Sequence, residues 1–201
     1  MGKDPFHEEA THHYGNARLQ LSQAQRDRIN LYLNFDMFGS PNYVFFIYDG
    51  DNSDGVGFPG GSGGSAQIEQ TFERYFNIVG IPFKGTDFTS RSDDGPFIAI
   101  GIPSGGLFTG AEGVKTAAEA AIWGGTAGQQ DDPCYHLACD TFANNSNTAL
   151  DQMSDAVAHA VLLFSKRDFE KQPLASPVVP VSTGSGTSGG FHDHADESEP
   201  R

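Results

Sequence analysis

The chain has 201 residues, and its 26 acidic residues against 12 Lys and Arg give a formal net charge of −14 at pH 7. This length suits one domain with a substantial core and is marginal for two. The negative charge repels phosphate backbones and anionic lipid surfaces, which argues against nucleic acid and membrane partners.

The first residues, MGKDPFHEEATHH, lack the apolar core of a signal peptide. No apolar run reaches the roughly 18 residues that cross a membrane. Residues 22–30 are polar and predict a connection or a short surface helix. The apolar run at 31–37 then predicts a buried strand that ends in a loop at Gly39. Asp36 stands near the end of this strand, where an ionised carboxylate is costly unless a cation or several donors meet it.

The segment YVFFIY, residues 43–48, predicts a second buried strand, and the short link suggests that it neighbours the first. Residues 49–65 predict a long solvated loop. Its start, DGDNSDG, resembles a calcium loop at the first and third positions. However, Asp54 stands where such a loop requires Gly, and Gly60 where it requires Glu, so an ordinary acidic loop is favoured.

Three helices and a further strand are predicted next. Ser65 is the expected N-cap of a helix that runs to Val79, and the segment at 96–108 is expected to form a buried strand. A short helix follows through KTAAEAAIW. The apolar stripe at 147–166 predicts a long helix that packs across the sheet. This alternation of strands and helices indicates an α/β layer architecture.

The remaining residues are rich in Pro, Ser and Gly, and we predict a disordered tail at 169–201 after a domain at 1–168. The only cysteines, Cys134 and Cys139, have four residues between them. That spacing suits a small disulfide loop and favours an oxidising compartment.

Four groups suggest a chemical role: Glu8 with Glu9, Asp36, the segment RSDDGPF at 91–97, and CYH at 134–136. Carboxylates and imidazoles are the ligands that zinc takes in hydrolytic sites. Two zinc ions can share and activate one water molecule, and a further carboxylate then serves as the base.

These groups lie within longer motifs that occur in order along the chain: FHEE, NFDMFGSPN, RSDDGPF, GGLFTGAE, DPCYHLACD and NTALDQMSDAVAHA. In this series the chain resembles the secreted dizinc aminopeptidases of the leucyl aminopeptidase and aminopeptidase Y type. The similarity runs from about Phe6 to Lys166. It implies a three-layer fold with a mixed sheet flanked by helices, two zinc ions, peptide substrates and an extracellular location.

The resemblance also assigns catalytic and metal-binding roles. Glu8 matches the general base, and Glu9 matches a ligand to one zinc ion. Asp36 matches a ligand to the other zinc ion, and His136 a ligand beside Glu9. Tyr135 matches the phenol that stabilises the oxyanion.

Further positions match the substrate site and its supports. Arg91 matches a residue near the free amino end of the substrate, while Met37 and Phe108 match the walls of an apolar pocket for Leu, Phe or Met. The two cysteines match a family disulfide that holds the loop of Tyr135 and His136. Asp151 and Asp155 fall where some members bind a structural calcium ion.

The chain also departs from the family pattern. The family places a histidine and a zinc-bridging aspartate well upstream of the Glu pair, and only seven residues precede Glu8. The chain therefore corresponds to the C-terminal part of a catalytic domain. We expect a metalloaminopeptidase that removes large apolar first residues. The alternatives are a fragment of a longer enzyme and a non-catalytic relic or peptide-binding module.

Overall fold

The computed structural model describes residues 21–56, 61, 63–89 and 91–174. Within them, four short strands form one open sheet: β1 (Tyr32–Phe35), β2 (Phe46–Tyr48), β3 (Lys84–Thr86) and β4 (Ser104–Phe108). Their order across the sheet is β1-β4-β2-β3. Strand β1 is parallel to β4, β2 is parallel to β3, and β2 is antiparallel to β4. The mixed α/β sheet expected from the sequence is thus confirmed.

The helices of the described residues are α1 (Gln23–Arg26), α2 (Ser65–Val79), α3 (Gly95–Ile98), α4 (Ala117–Trp123) and α5 (Asn147–Ser165), with a 3₁₀ turn at Phe142–Asn144. The predictions of α2, α4 and α5 are confirmed. The start of α2 differs, because Gly64 is its N-cap. The hydroxyl of Ser65 instead accepts a hydrogen bond from the backbone N–H of Ser104, 3.0 Å away, which ties α2 to β4.

The prediction that the first two strands are neighbours is wrong, because β4 lies between them. The residue that follows β4 explains this order. The backbone N–H of Thr109 donates to the carbonyl of Met37, and the Thr109 carbonyl accepts from Val44, at 2.9 and 3.2 Å. The residues between β1 and β2 therefore cross the end of β4, and the two strands do not form a hairpin.

The prediction of one strand over 96–108 is also wrong in its first half. Pro96 stands in the first turn of α3, where a missing N–H costs nothing. The N–H of Ile102 then bonds to the carbonyl of Phe97 at 3.0 Å, and the strand begins only at Ser104. Strand β3, which contains Lys84 and Gly85, was not predicted at all.

Alternation along the strands divides the sheet into two faces. Ile47 and Leu107 point to one face and are buried beneath α2. Gly105 lies on that face too, and a Cβ atom there would come within 2.6 Å of Ile68 Cγ2 on α2. The absence of a side chain at position 105 thus lets the helix approach the sheet closely.

Helices α2 and α5 complete this core, which α5 enters mainly by packing against α2. The helices contribute Ile68, Phe72, Phe76, Ala149, Met153, Ala156, Ala160 and Phe164. Phe169 and Leu174 are partly buried against it, beyond the predicted boundary at residue 168. The rest of the predicted tail, from residue 175, lies outside the described residues.

The opposite face carries the even-numbered residues of β1 and β2. On it the rings of Tyr32 and Phe97 stack with centroids 3.9 Å apart, so the short helix α3 lies against β1. The rings of Phe46 and Phe108 contact each other across β2 and β4, with centroids 5.8 Å apart. This second face holds the candidate site.

Replacing Phe72 by Ala should lower the free energy of unfolding by about 3–5 kcal/mol, because the fully buried ring leaves a cavity between α2 and the sheet. Urea denaturation of both proteins measures the difference. Phe142→Ala is the matched control, since that ring is 87% exposed and its loss should cost less than about 0.5 kcal/mol. Equal effects of the two changes would contradict the assigned core.

Candidate active site

A pocket of about 300 Å³ opens on the second face of the sheet. Residues from β2, β3 and β4 line it, together with residues from the segments that follow β1, β3 and β4 and from the region of Asp131 and Tyr135. Among them are five of the residues that sequence analysis selected, which are Asp36, Met37, Arg91, Phe108 and Tyr135. The fold therefore brings together residues that are as far apart in the sequence as Asp36 and Tyr135, although their individual roles stay predictions.

Asp36 directly follows β1, and the alternation of that strand directs it to the pocket face together with Asn34. Its Oδ2 atom accepts a hydrogen bond from Ser92 Oγ at 2.8 Å. Ser92 Oγ in turn accepts from Asn34 Nδ2 at 2.8 Å. Because Asn34 is buried and Asp36 is exposed, this chain of hydrogen bonds orients a carboxylate that faces solvent.

The residue after Asp36 changes the direction of the backbone. Met37 has φ of 49°, a left-handed conformation that is uncommon outside glycine. Both the backbone N–H and the hydroxyl of Thr109 donate to its carbonyl, which holds this conformation in place. The turn ends the strand and leaves Met37, like Asp36, in the lining of the pocket.

Tyr135 and His136 lie in a loop that a disulfide closes. The predicted bond between Cys134 and Cys139 is present, with Cα atoms 5.4 Å apart. Asp132 fixes the start of the loop, because its Oδ1 accepts from the backbone N–H of Cys134 at 2.9 Å. His136 has φ of 54°, and its ring centroid lies 4.0 Å from that of Tyr135. The loop thus presents a phenol and an imidazole together.

Charged groups connect this loop to the segment at 91–97. Arg91 forms an ion pair with Glu112, and both line the pocket. The hydrogen bond that Arg91 donates to Glu112 raises the pKa of Arg91, with a smaller contribution from a hydrogen bond to Tyr135. The same pair lowers the pKa of Glu112, and the nearby His136 adds to the effect. Because a guanidinium can only donate, the oxygen of Tyr135 is the acceptor from Arg91.

Two buried carboxylates, one near the pocket and one in its lining, received no individual role from the sequence. Asp94 is fully buried, and within the described residues neither of its oxygens has a hydrogen-bond partner. Burial raises its pKa to about 6, and the same cause, followed by the charges of Asp94 and Asp36, raises the pKa of Tyr48. Asp131 is 5% exposed and lines the pocket. No pattern in the local sequence shows that either aspartate is buried and not on the surface.

A separate acidic cluster lies at the end of β2. Ligand atoms of Asp49, Asp51 and Glu69 all lie within 4.8 Å of one another. Asp49 and Glu69 are each 2% exposed, so the expectation of a wholly solvated loop at 49–65 is wrong at its first residue. Backbone N–H groups explain the burial: Gly50 donates to Glu69 at 2.8 Å, and Ser53 and Asp54 donate to Asp49.

The predicted zinc ligands fit the metal in kind. A carboxylate at Asp36 and an imidazole at His136 are both groups that zinc binds. Glu8 and Glu9 lie outside the described residues. Among the residues that are described, the one group of three carboxylate, imidazole or thiolate ligands is the Asp49 cluster, so the pocket itself supplies fewer than three. Asp151 and Asp155, the predicted calcium ligands, are both exposed on α5.

Comparisons with known proteins found a matching family, related sequences and a similar fold. The family model described as peptidase family M28 matches residues 7–161. An aminopeptidase of Pseudomonas aeruginosa is 50% identical over 149 residues, which cover 74% of this chain and 27% of that protein. Leupeptin-inactivating enzyme 1 of Streptomyces exfoliatus is 48% identical over 142 residues, covering 70% and 29% respectively.

A similar fold occurs in a solved structure of a zinc aminopeptidase from Bacillus subtilis. The TM-score is 0.52 at 20% sequence identity, and the match covers 77% of this chain and 32% of that one. The chain therefore spans about three tenths of the length of the proteins that it matches.

Glu69 should make the protein less stable as pH rises. Burial and neighbouring carboxylates raise its pKa to about 8. The folded state thus holds the proton more tightly than the unfolded state, and stability falls between about pH 5 and 8. Urea denaturation at pH 5.5 and 8.5 measures how far the free energy of unfolding falls between them. This fall should be at least about 1 kcal/mol smaller in Glu69→Gln than in the wild type.

Glu170→Gln, which changes an exposed glutamate, serves as the control and should keep the wild-type dependence on pH. Asp94 and Asp131 act in the same direction, so part of the fall should remain in Glu69→Gln. An unchanged fall in Glu69→Gln would contradict the burial of an ionisable carboxyl at this position.

Proposed function

Because the chain belongs to peptidase family M28, we propose that the protein is a zinc aminopeptidase that hydrolyses the first peptide bond of its substrates. The single observation that carries the proposal is the pocket, in which Asp36, Arg91 and Tyr135 form a polar edge beside Met37 and Phe108. A polar edge beside apolar walls is what a peptide's amino end and first side chain require together.

In the proposed metal site, Asp36 would hold one zinc ion, and Glu9 and His136 would hold the other. Zinc bound there would polarise the scissile carbonyl and lower the pKa of the attacking water. The hydrogen bond from Ser92 holds one oxygen of Asp36, which limits the orientations that this carboxylate can take as a ligand. The remaining ligands expected from the family pattern lie upstream of Glu8, so the complete site is proposed for the whole protein.

Each proposed catalytic residue has a separate task. Glu8 takes the proton from the attacking water and passes it to the leaving amine. Tyr135 donates a hydrogen bond to the carbonyl oxygen as negative charge develops on it. Arg91 positions the phenol by donating to its oxygen, and Glu112 holds Arg91 by an ion pair. The disulfide limits the movement of the loop that carries Tyr135 and His136.

The walls of the pocket support a preference for large first residues. Met37, Phe46 and Phe108 provide apolar area that small side chains such as Gly or Ala would leave uncovered. We therefore propose that Leu, Phe and Met are accepted as first residues. The disulfide favours an extracellular location, since such bonds persist in oxidising compartments. No helix among the described residues is long and apolar enough to cross a membrane.

Zinc content together with hydrolysis of leucine p-nitroanilide tests the proposal. For the whole protein we expect turnover and the two zinc ions per chain that the resemblance implies. Asp36→Asn should lose zinc and at least about 90% of the activity because a neutral amide is a poor ligand. The control is Asp140→Asn, which changes an exposed carboxylate directly after the disulfide loop. Peptide binding without zinc or turnover would favour the binding module instead.

Replacing Tyr135 by Phe should lower kcat by about 10²–10³ with little change in KM, because the lost hydrogen bond forms mainly in the transition state. Steady-state kinetics on leucine p-nitroanilide measures both constants. Tyr75→Phe removes a phenol hydroxyl on α2, outside the pocket lining, and should leave kcat unchanged. Full activity in Tyr135→Phe would remove this residue from the mechanism.

A further inference from the structure

Asp131 is a carboxylate that the proposed mechanism does not use, although it lines the same pocket as Met37 and Phe108. It is 5% exposed, and within the described residues its Oδ1 atom has no hydrogen-bond partner. Burying a carboxyl group without a partner is costly. A group with this cost, in the wall of a binding pocket, indicates that a ligand completes its interactions.

The backbone around Asp131 holds the carboxyl group in place. Its N–H donates to the carbonyl of Gly113 at 2.7 Å, and its carbonyl accepts from Asn42 at 2.9 Å. Gly110 passes close by, so that a Cβ atom at position 110 would lie 2.3 Å from Asp131 Oδ2. The side chain is therefore fixed between backbone segments, and it has little room to turn away from the pocket.

The charges near Asp131 do not neutralise it. Lys115 is the cation with the largest attraction for Asp131, and Lys84 has a smaller one. However, the Lys115 ammonium group donates to the carbonyls of Tyr43 and Gly124, at 2.7 and 2.9 Å. Burial outweighs the attraction of Lys115 and raises the pKa of Asp131 to about 7, with Glu119 adding to the increase. An additional cation beside Asp131 would relieve this burial cost.

We propose that Asp131 selects substrates whose first residue ends in a cation, namely Lys or Arg, by binding the terminal ammonium or guanidinium group within the pocket. This inference rests on the proposed function, and it extends the expected preference for Leu, Phe and Met. The long methylene stem of Lys packs on apolar walls while its charge seeks a polar partner. Met37 and Phe108 contact the stem, and Asp131 binds its end.

Equilibrium binding separates the contribution of the charge from that of the stem. Isothermal titration compares L-lysinamide with L-norleucinamide, which has the same four-carbon stem without the ammonium group. We expect the wild-type protein to bind lysinamide at least about 10-fold more tightly, as a charge-assisted hydrogen bond would give. In Asp131→Asn the ratio of the two affinities should fall to near one. An unchanged ratio in this variant overturns the inference.

Asp140→Asn is the matched control, since it removes one negative charge from an exposed position outside the pocket lining. It should keep the wild-type ratio. An equal loss of discrimination in both variants would show that the total negative charge attracts the ligand, and it would also overturn the inference. If Asp131→Asn does not fold, Asp131→Ala, whose smaller side chain fits the same space, tests the same ratio.

Thermal unfolding provides a second readout that a merely structural role would not give. If Asp131 is retained for ligand binding at a cost to stability, Asp131→Asn should unfold at a higher temperature than the wild type at pH 8 without ligand. Lysinamide should then raise the unfolding midpoint of the wild type more than that of the variant. A lower midpoint in the variant with an unchanged affinity ratio would assign Asp131 a structural role only.

Turnover distinguishes this inference from the proposed function. Lysine and leucine p-nitroanilides are compared with the zinc-loaded protein, and Asp131→Asn should lower the lysine-to-leucine ratio of kcat/KM at least about 10-fold. Turnover of the leucine substrate with an unchanged ratio contradicts the inference and leaves the aminopeptidase function standing. No turnover of either substrate, with selective lysinamide binding retained, contradicts the function and supports the role of Asp131.

Discussion

The close contact between α2 and the sheet determines which face of the sheet is buried in the core. Gly105 in β4 allows Ile68 of α2 to approach, and this commits Ile47 and Leu107 to the helical face. Once that face is fixed, alternation along the strands leaves Asn34, Phe46 and Phe108 on the other one. The pocket is therefore a consequence of core packing, since a one-residue shift of register would exchange the two faces.

The pocket combines held polar groups with uncompensated charge. Ser92 and Asn34 orient Asp36, and the disulfide closes the loop that presents Tyr135, so bonds within the protein hold these groups. In contrast, Asp131 lines the pocket and is a buried carboxylate with an unpaired oxygen within the described residues. Burial without partners lowers stability, and such costs concentrate at sites where a ligand supplies the missing interaction. The site is thus partly preorganised and partly dependent on what it binds.

The sequence predicted those features that a local pattern encodes. The apolar stripes specified α2 and α5, and the strand end followed by Gly and Pro identified Asp36 as an acid that needed a partner. The motif resemblance located Arg91, Phe108 and Tyr135, which the fold brings to one pocket. Features that depend on tertiary contacts could not be predicted. Strand β3 has no apolar run of its own and forms through pairing with β2. The insertion of β4 between β1 and β2 depends on Thr109, and the burial of Asp131 depends on the loop that contains Gly110.

The central claim is that the pocket at the end of β1, rather than the acidic cluster at the end of β2, is the metal centre. Anomalous diffraction at the zinc edge, from crystals of the protein grown with zinc, tests it most directly. We expect two anomalous peaks, one about 2.0–2.2 Å from a carboxylate oxygen of Asp36 and the other at the same distance from a ring nitrogen of His136. A peak found only among Asp49, Asp51 and Glu69 would contradict it.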